Sequence, residues 1–185
     1  MKQRTEEWFK VRENKLTASD FASACGENKF CSKEELWLRK TKQIAKPKIN
    51  ADMQRGLDLE KKGIDVLEVE KNIITKEIGF VEHQDYDWLG CSPDAISTKS
   101  VIEVKAPRFI NPNLTERPNY YEHQIQGQME ICNMDMCFLV LISATNFKIF
   151  EVKRNKDFWN NMLPRLEEFW HCVKNNINPK EFKNV

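Results

Sequence analysis

Two acidic residues and a lysine lie close together in the stretch Gly90–Pro107. Side chains two residues apart on a strand share a face, so Glu103 and Lys105 point the same way, and a turn at 97–100 would bring Asp94 opposite Glu103. Carboxylates are the hard oxygen ligands that Mg²⁺ and Mn²⁺ prefer, and a lysine beside them can orient a water or neutralise charge on a phosphate. The pattern predicts a metal-dependent phosphoryl-transfer site. A surface strand with alternating Glu and Lys is the alternative.

A third carboxylate, Glu60, lies on the apolar side of a predicted helix. Apolar residues recur there at three- and four-residue spacing, at Met53, Leu57, Ile64 and Leu67. A carboxylate in such a stripe is costly to desolvate unless it is paired or binds a metal. We therefore expect Glu60 to be a further ligand, with a glutamate that reaches water from the edge of the stripe as the alternative. Gly56 and Gly63 on the same side predict that this helix approaches a strand closely.

Periodicity and helix-start signals predict the elements that position these residues. We expect helices over 5–13, 52–71, 120–132 and 157–176, a short helix after Thr17, and another behind the capping box Ser32-Lys33-Glu34-Glu35. Strands are predicted over 73–81, 86–91, 94–97, 101–105, 136–143 and 147–153. The strand 136–143 is apolar throughout, which predicts burial on both faces. Loops are predicted over 42–50 and 107–118.

This order of elements predicts an α/β fold, with a central mixed β-sheet flanked by helices. We expect one domain over 1–185, with N-terminal helices over about 1–50, a core over about 51–153 and a C-terminal helix over about 155–176.

Composition narrows the class of protein. The 185 residues are 41% hydrophobic and 31% charged, which is typical of a globular chain and excludes collagen-like, disordered and coiled-coil classes. No apolar run approaches the ~18 residues of a membrane span, and the N-terminus lacks the apolar region of a secretory signal. We therefore expect an intracellular protein with no membrane partner. The six cysteines include no Cys-x-x-Cys pair, which favours reduced thiols over a disulfide framework or an iron–sulfur cluster.

The net charge of +1 combines two opposite segments. Residues 1–50 carry 12 Lys and Arg against 7 Asp and Glu, whereas residues 51–100 carry 6 against 11. Such a basic segment beside an acidic one could bind a phosphate with the first and a cation with the second. Chance clustering of charge on a solvated surface explains the same pattern.

Six short motifs occur in an order that resembles one known family. They are Trp8-x-x-x-Arg12, Thr17-Ala18-Ser19, Arg55-Gly56-x-x-x-Glu60, Cys91-Ser92-Pro93-Asp94, Glu103-Val104-Lys105-Ala106-Pro107 and Gln124-Ile125-Gln126. Together they resemble the phage lambda exonuclease family, the YqaJ-like viral recombinase nucleases of the PD-(D/E)XK class. The resemblance runs from about Trp8 to Met129. It implies a restriction-endonuclease-like core and a phage- or virus-encoded protein that acts in the host cell.

The resemblance implies a role for each matching residue at the catalytic centre. Asp94, Glu103 and Glu60 match the metal-binding carboxylates, and the backbone carbonyl of Val104 matches a further ligand. The implied ion is Mg²⁺, with Mn²⁺ as a substitute. Lys105 matches the catalytic lysine. Gln124 matches a glutamine that supports the site from the following helix, where Tyr121 is a weaker match.

A second group of residues is implied to hold a terminal 5′-phosphate. Arg12, Ser19 and Ser92 match the positions that do so in the family, and we place Thr17 and Gln128 with them. An arginine presents a planar fork suited to a phosphate, and a serine near a helix start adds further donors. Arg12 could instead be a solvated helix residue. A polar helix surface is likewise the alternative for Gln124 and Gln128, which lie one turn apart, whereas Gln126 is expected to point elsewhere. Ala95 departs from the glycine that many relatives have after the aspartate.

The function implied by the resemblance is a Mg²⁺-dependent deoxyribonuclease. It would degrade one strand of linear double-stranded DNA in the 5′→3′ direction and leave a 3′ overhang for a single-strand annealing protein, in recombination or genome processing. The family also implies a homotrimer. An endonuclease, or a single-strand- or RNA-directed enzyme on the same fold, is one alternative. The other is a non-catalytic DNA-binding module, against which the complete set Asp94, Glu103, Lys105 and Glu60 argues.

Overall fold

The computed structural model of the chain describes residues 2–45 and 48–181. The helices are α1 (Glu6–Glu13), α2 (Phe21–Ala24), α3 (Lys33–Lys40), α4 (Ala51–Lys71), α5 (Glu122–Ile131) and α6 (Lys156–Lys174). The strands are β1 (Leu16–Thr17), β2 (Val81–Glu82), β3 (Leu89–Cys91), β4 (Ala95–Ile96), β5 (Ser100–Lys105), β6 (Met136–Ile142) and β7 (Phe147–Lys153). Short 3₁₀ turns over Ala18–Asp20 and Asn119–Tyr121 lead into α2 and α5.

The strands form two mixed sheets. The larger has the order β4-β5-β6-β7, in which only β5 and β6 run parallel. The smaller has the order β1-β3-β2, with β1 parallel and β2 antiparallel to β3. The predicted α/β fold with mixed sheet flanked by helices is therefore confirmed, with the strands divided between two sheets.

The larger sheet is covered by a helix on each face. Leu67 of α4 packs with Ile102, Val104 and Val140 on one face, and Ile125 and Met129 of α5 pack with Val101, Leu139 and Leu141 on the other. Every residue of β6 after Met136 is buried, which confirms the prediction for that strand. This layering places the outer end of β5 between α4 and α5.

A glycine allows α4 to lie close to β5. A Cβ added at Gly63 would stand 2.6 Å from Val104 Cγ1, so only glycine fits there without displacement. The prediction that Gly56 also allows a close approach to a strand was wrong, because nothing lies within 4 Å of the position that a Cβ of Gly56 would occupy. Gly63 therefore sets the distance between the helix of Glu60 and the strand of Glu103.

The N-terminal elements pack on α6 in a second apolar cluster. Phe21 contacts this cluster from α2, Leu89 from β3, and Trp159 and Phe169 from α6. Since β1 pairs with β3, with Thr17 aligned on Gly90, the turn after β1 lies beside the end of β3. The packing thus brings the Thr17-Ala18-Ser19 motif next to Ser92.

Polar side chains begin four of the helices. At the N-termini of α1, α3, α4 and α6, a side chain accepts a hydrogen bond from the backbone N–H three residues on; these side chains are Thr5, Ser32, Asn50 and Asn155. The N-terminal capping by Ser32 is as predicted.

The stretch 73–81 was predicted as a strand and is almost entirely irregular. Lys76 makes only an isolated bridge to Ile96, and pairing resumes at Val81. Ile74 is 89% exposed, so its apolar character reflects no buried face. The predicted strand over 86–91 is likewise shortened to Leu89–Cys91. The predicted loop over 42–50 includes residues 46 and 47, which lie outside the described residues. No helix in the described ranges is long and apolar enough to cross a membrane.

Candidate active site

The hairpin of β4 and β5 brings Asp94 opposite Glu103. The turn closes where the N–H of Ser97 donates to the Ser100 carbonyl over 2.8 Å, and the N–H of Asp94 donates to the Ile102 carbonyl over 3.1 Å. Asp94 Oδ2 accepts the backbone N–H of Val104 over 2.7 Å. The predicted hairpin therefore exists, and it fixes one oxygen of Asp94 against the backbone of β5.

Glu103 is held by three side chains on its own face and on α5. Lys105 Nζ lies 2.6 Å from Glu103 Oε1, to which Gln124 Nε2 also donates over 2.6 Å. Lys105 Nζ donates in turn to Gln124 Oε1 over 2.9 Å, so the three groups form a closed ring. Gln128 Nε2 donates to Glu103 Oε2 over 2.6 Å. The structure thus places Gln128 on the acidic centre rather than in the group around Arg12.

Glu60 faces this centre from α4. The Glu60 carboxylate forms an ion pair with Arg4, and the Glu60 side chain is 24% exposed to solvent. Glu60 is therefore partly exposed, as expected for a glutamate that reaches water from the edge of the stripe. Its charge is also paired, as expected for a carboxylate that faces the core.

The three carboxylates act on one another electrostatically. Burial raises the pKa of Asp94 well above its ordinary value, and the negative charges of Glu103 and Glu60 raise it further. Burial disfavours the charged form of Lys105, but the carboxylates of Glu103 and Asp94 hold the pKa of this lysine above its ordinary value. Lys105 therefore stays protonated in a site that carries more negative than positive charge.

The donor set fits a divalent cation in its chemistry. In the arrangement described, no three His, Cys, Asp or Glu side chains among the residues of the structure converge closely enough to hold an ion. Glu60 is engaged by Arg4, and an ion would compete with that pair. A cation beside Asp94 would relieve the repulsion that opposes its ionisation, and carboxylates are the ligands that Mg²⁺ prefers. The N–H and C=O of a strand residue point to the same side, so the Val104 carbonyl is directed toward Asp94.

A second polar cluster surrounds Arg12. Arg12 Nη1 donates to Ser92 Oγ over 3.1 Å, and Trp8 Nε1 donates to the same oxygen over 2.9 Å. Arg12 Nη2 lies 3.5 Å from Thr17 Oγ1, which is 3.1 Å from Ser19 Oγ. The arrangement brings together four of the five residues predicted to bind the phosphate, all but Gln128. We call Arg12, Thr17, Ser19 and Ser92 the hydroxyl–arginine cluster.

The guanidinium of Arg12 is well placed to receive an anion. It stacks 4.2 Å from the centre of the Trp8 ring. No carboxylate in the described part of the chain forms an ion pair with Arg12, although Asp20 acts on it from a distance. Burial lowers the pKa of Arg12 from its ordinary value, because desolvation disfavours the charged form. A bound anion would compensate that burial.

The two groups line one cavity of about 170 Å³. Its walls include the side chains of Gln3, Arg4, Trp8, Arg12, Thr17, Ser19, Ser92, Asp94, Glu103, Gln124 and Gln128. A larger groove of about 630 Å³ is lined by Lys105, Arg55 and Tyr121, and it shares Ser19 and Gln124 with this cavity. An extended, negatively charged ligand could thus reach both the acidic centre and the hydroxyl–arginine cluster.

Gln3 and Arg4 were not predicted from the sequence as residues of the site, and no role was predicted for Trp8. Gln3 Nε2 donates to the carbonyls of Ile78 and Pro93 over 2.8 and 2.7 Å, which fixes the N-terminal segment beside the site. The spacing of Trp8 and Arg12 places both on one helix face and could have indicated their contact. No local pattern marks Arg4. Gln126, in contrast, is buried and bonds to the Lys153 carbonyl, in agreement with a structural role.

Comparison with protein families gives one match. The model of the YqaJ-like viral recombinase domain matches residues 7–135. Two curated relatives are uncharacterized proteins, R354 of Acanthamoeba polyphaga mimivirus and YqaJ of Bacillus subtilis. The first is 26% identical over 153 residues, 73% of this chain and 28% of the relative, and the second is 24% identical over 178 residues, 90% and 55% respectively. The chain thus spans less than two thirds of either relative.

Solved structures share the fold. An alkaline exonuclease from Laribacter hongkongensis matches with a TM-score of 0.79 at 24% identity, over 94% of both chains, and its complex with dAMP with a TM-score of 0.81. A phage-related exonuclease from Haemophilus somnus matches with a TM-score of 0.71 at 14% identity, over 90% of this chain and 96% of the other. The described fold is therefore that of these exonuclease structures.

Proposed function

The chain belongs to the YqaJ-like viral recombinase family, and on that premise we propose that it is a Mg²⁺-dependent deoxyribonuclease acting 5′→3′ on linear double-stranded DNA. The product would be duplex DNA with a 3′ overhang. The observation that carries the proposal is the single cavity that joins the acidic centre, with Asp94 and Glu103, to the hydroxyl–arginine cluster. The acidic centre suits the hydrolysis of a phosphodiester, and the hydroxyl–arginine cluster suits the binding of a terminal phosphate.

The acidic centre supplies the hydrolytic side. Asp94, Glu103, Glu60 and the Val104 carbonyl would hold the Mg²⁺, or Mn²⁺ in its place, which supplies Lewis-acid polarisation of a phosphoryl oxygen and acidifies an attacking water. Lys105 remains protonated beside Glu103 and would neutralise charge that develops on the phosphate. Gln124 orients both Glu103 and Lys105 through its amide.

The hydroxyl–arginine cluster supports the choice of the 5′ end. A terminal phosphate carries more charge than an internal one, and a partly buried arginine fork with three hydroxyls around it favours that dianion. Because the cluster and the acidic centre share a small cavity, a terminal phosphate held by Arg12 would place a nearby phosphodiester at Asp94 and Glu103. The Laribacter hongkongensis exonuclease has been solved in complex with dAMP, a mononucleotide. Release of single nucleotides from the digested strand would agree with that complex.

The test is digestion of linear duplex DNA that carries a 5′-phosphate or a 5′-hydroxyl, beside closed circular duplex and linear RNA, with Mg²⁺ and with a chelator. We expect metal-dependent loss of the phosphorylated linear DNA and slower loss of the hydroxyl form. Cleavage of the circle or of the RNA would favour the endonuclease or RNA-directed alternative. No cleavage of any substrate would favour a non-catalytic DNA-binding module.

Two variants test the roles of the acidic centre and of the hydroxyl–arginine cluster separately. Lys105→Met should abolish cleavage while DNA binding persists, and Lys99→Met, an exposed lysine on the same hairpin, is the matched control. Arg12→Lys keeps the charge but loses the planar fork, so it should reduce the preference for 5′-phosphate by about tenfold, a cost of roughly 1.4 kcal/mol. An unchanged preference in Arg12→Lys would contradict the role of the cluster.

Three further elements of the proposal follow from the family. We propose a homotrimer, a single-strand annealing protein as the partner that receives the 3′ overhang, and a phage or virus as the source of the gene. Light scattering after size exclusion tests the first, and co-purification with an annealing protein encoded beside the gene tests the second. A monomer at the concentration that digests DNA would contradict the trimer.

A further inference from the structure

Two thiols meet between the hydroxyl–arginine cluster and the helix that supports Glu103. Cys91 ends β3 and is 1% exposed, whereas Cys132 directly follows α5 and is partly exposed. Their Sγ atoms lie 3.6 Å apart, and both are free thiols in the structure. Neither residue has a part in the proposed hydrolysis, but Cys91 precedes Ser92 in the chain and the backbone N–H of Cys132 donates to the Gln128 carbonyl.

We propose that Cys91 and Cys132 are a site of reversible oxidation, at which a peroxide converts the two thiols into an intrachain disulfide. Cys132 attacks the peroxide first and becomes a sulfenic acid, with release of hydroxide or water. The Cys91 thiol then displaces the sulfenic oxygen as water, and the S–S bond forms. In balance, two thiols and one hydrogen peroxide give one disulfide and two waters.

The surroundings assign the order of the two thiols. The hydrogen bond with the Cys91 thiol lowers the pKa of Cys132, and Cys132 is the member of the pair that a solvent-borne oxidant can reach. Burial raises the pKa of Cys91 well above its ordinary value, so Cys91 is slow to react alone. This division, an accessible thiol beside a buried one, is the arrangement of a redox-sensitive pair.

The disulfide would link two elements that hold the cavity. Closing the sulfur distance from 3.6 Å to ~2.05 Å would tie the end of β3 to the end of α5. Ser92, which binds Arg12 and Trp8, adjoins Cys91 in the chain. The backbone N–H of Cys132 donates to the carbonyl of Gln128, whose side chain holds Glu103. Oxidation should therefore displace groups that position the terminal phosphate and Glu103.

The effect on activity rests on the proposed function, whereas disulfide formation is independent of it. A misplacement of about 1 Å in such a site can cost on the order of 10²-fold in rate, so we expect oxidation to slow digestion of 5′-phosphorylated duplex by about tenfold or more. Reduction with dithiothreitol should restore the original rate.

The experiment treats the full chain with hydrogen peroxide and maps its peptides without reduction, beside digestion of 5′-phosphorylated duplex. We expect peptides containing Cys91 and Cys132 to be joined, with a loss of two hydrogen atoms that dithiothreitol reverses. The Cys132→Ser variant should form no such link and keep its rate after peroxide. Cys31→Ser, which removes another partly exposed thiol, should respond to peroxide as the wild type does.

Each outcome decides one part of the inference. Unlinked peptides at peroxide levels that oxidise Cys31 would overturn the disulfide. Linked peptides with an undiminished rate would overturn the coupling to the cavity. A reduced chain that degrades no DNA would contradict the proposed function, while the peptide map would still decide whether the disulfide forms.

Discussion

Gln128 and Glu103 form a hydrogen bond of 2.6 Å between two buried side chains. The amide lies on α5 and the carboxylate on β5, so the bond joins the helix layer to the strand that carries the acidic centre. Together with Gln124 on the other oxygen, Gln128 fixes the orientation of Glu103 before any ligand binds. In catalytic metal centres outer groups typically orient the ligands in this way, which suits the ligand role proposed for Glu103.

Replacement of Gln128 by leucine should therefore weaken the binding of Mg²⁺ rather than the recognition of the 5′ end. Loss of such an outer partner costs roughly 10-fold in metal affinity or activity. We expect a higher Mg²⁺ concentration for half-maximal digestion, with an unchanged ratio of rates on 5′-phosphate and 5′-hydroxyl duplex. Gln54→Leu, on an exposed position of α4, is the control. A changed ratio of these two rates, with an unchanged dependence on Mg²⁺, would show that Gln128 helps to bind the 5′-phosphate instead.

Local patterns in the sequence were enough to predict the acidic centre. Strand alternation placed Glu103 and Lys105 on one face, and the turn after Asp94 predicted the hairpin, because both depend on neighbours in the chain. Gln124 and Gln128 were predicted to share a helix face, but which carboxylate oxygen each would meet depends on the packing of α5 on β5. That packing involves residues about 20 apart in sequence and leaves no periodic signal.

The remaining errors have the same origin. Arg4 reaches Glu60 across 56 residues, and no spacing rule links the two. The apolar residues over 73–81 suggested a strand, yet strand formation needs a partner edge, and within this stretch only Lys76 and Val81 pair, with Ile96 and Cys91 respectively. Gly56 and Gly63 looked equivalent on the helix, whereas only Gly63 meets the larger sheet.

The two glycines of α4 give opposite predictions for stability. At Gly63 an added Cβ would lie 2.6 and 3.2 Å from the two methyl carbons of Val104, a stiff side chain, so Gly63→Ala should destabilise the fold by about 1–3 kcal/mol. At Gly56 the space is open, and Gly56→Ala should stabilise the helix by about 0.5–1 kcal/mol. Urea denaturation of the two variants measures both effects.

A second substitution identifies the cause of the Gly63 effect. Val104→Ala removes the methyl groups that an alanine at position 63 would strike, so the double variant should lose less stability than the sum of the two single variants. Additive losses would show that the helix does not depend on this contact.

Arg4 should compete with a metal ion for Glu60. The ion pair between them engages the carboxylate in the absence of a cation. We expect Arg4→Ala to bind Mn²⁺ several-fold more tightly in calorimetry without DNA, because less of the binding free energy is spent on breaking the pair. Lys2→Ala, an exposed neighbour on the same segment, should bind Mn²⁺ as the wild type does. Weaker binding by Arg4→Ala would mean that Arg4 positions Glu60 for the ion.

The ion pair of Asp20 and Lys40 should make stability depend on pH in the acid range. Burial alone would raise the pKa of Asp20, but the charge and hydrogen bond of Lys40, together with the Thr17 hydroxyl, hold that pKa below its ordinary value. The stabilisation is therefore complete above the unfolded value of about 3.9 and is lost as the pH falls through the lower folded value. Lys40→Met should reduce the free energy of unfolding at pH 7 by about 1.5–3 kcal/mol, the range of a hydrogen bond to a charged group.

The difference between wild type and Lys40→Met should shrink progressively as urea denaturation is repeated from about pH 3.9 down through the lower folded pKa of Asp20. Once Asp20 is protonated in the folded wild type as well, the lysine has no carboxylate left to stabilise. Lys42→Met is the matched control, because Lys42 and Glu13 are both largely exposed and an exposed pair contributes about 0.5 kcal/mol or less. A difference for Lys40→Met that stayed constant from pH 7 to pH 3 would assign its effect to the packing of the lysine stem instead of its charge.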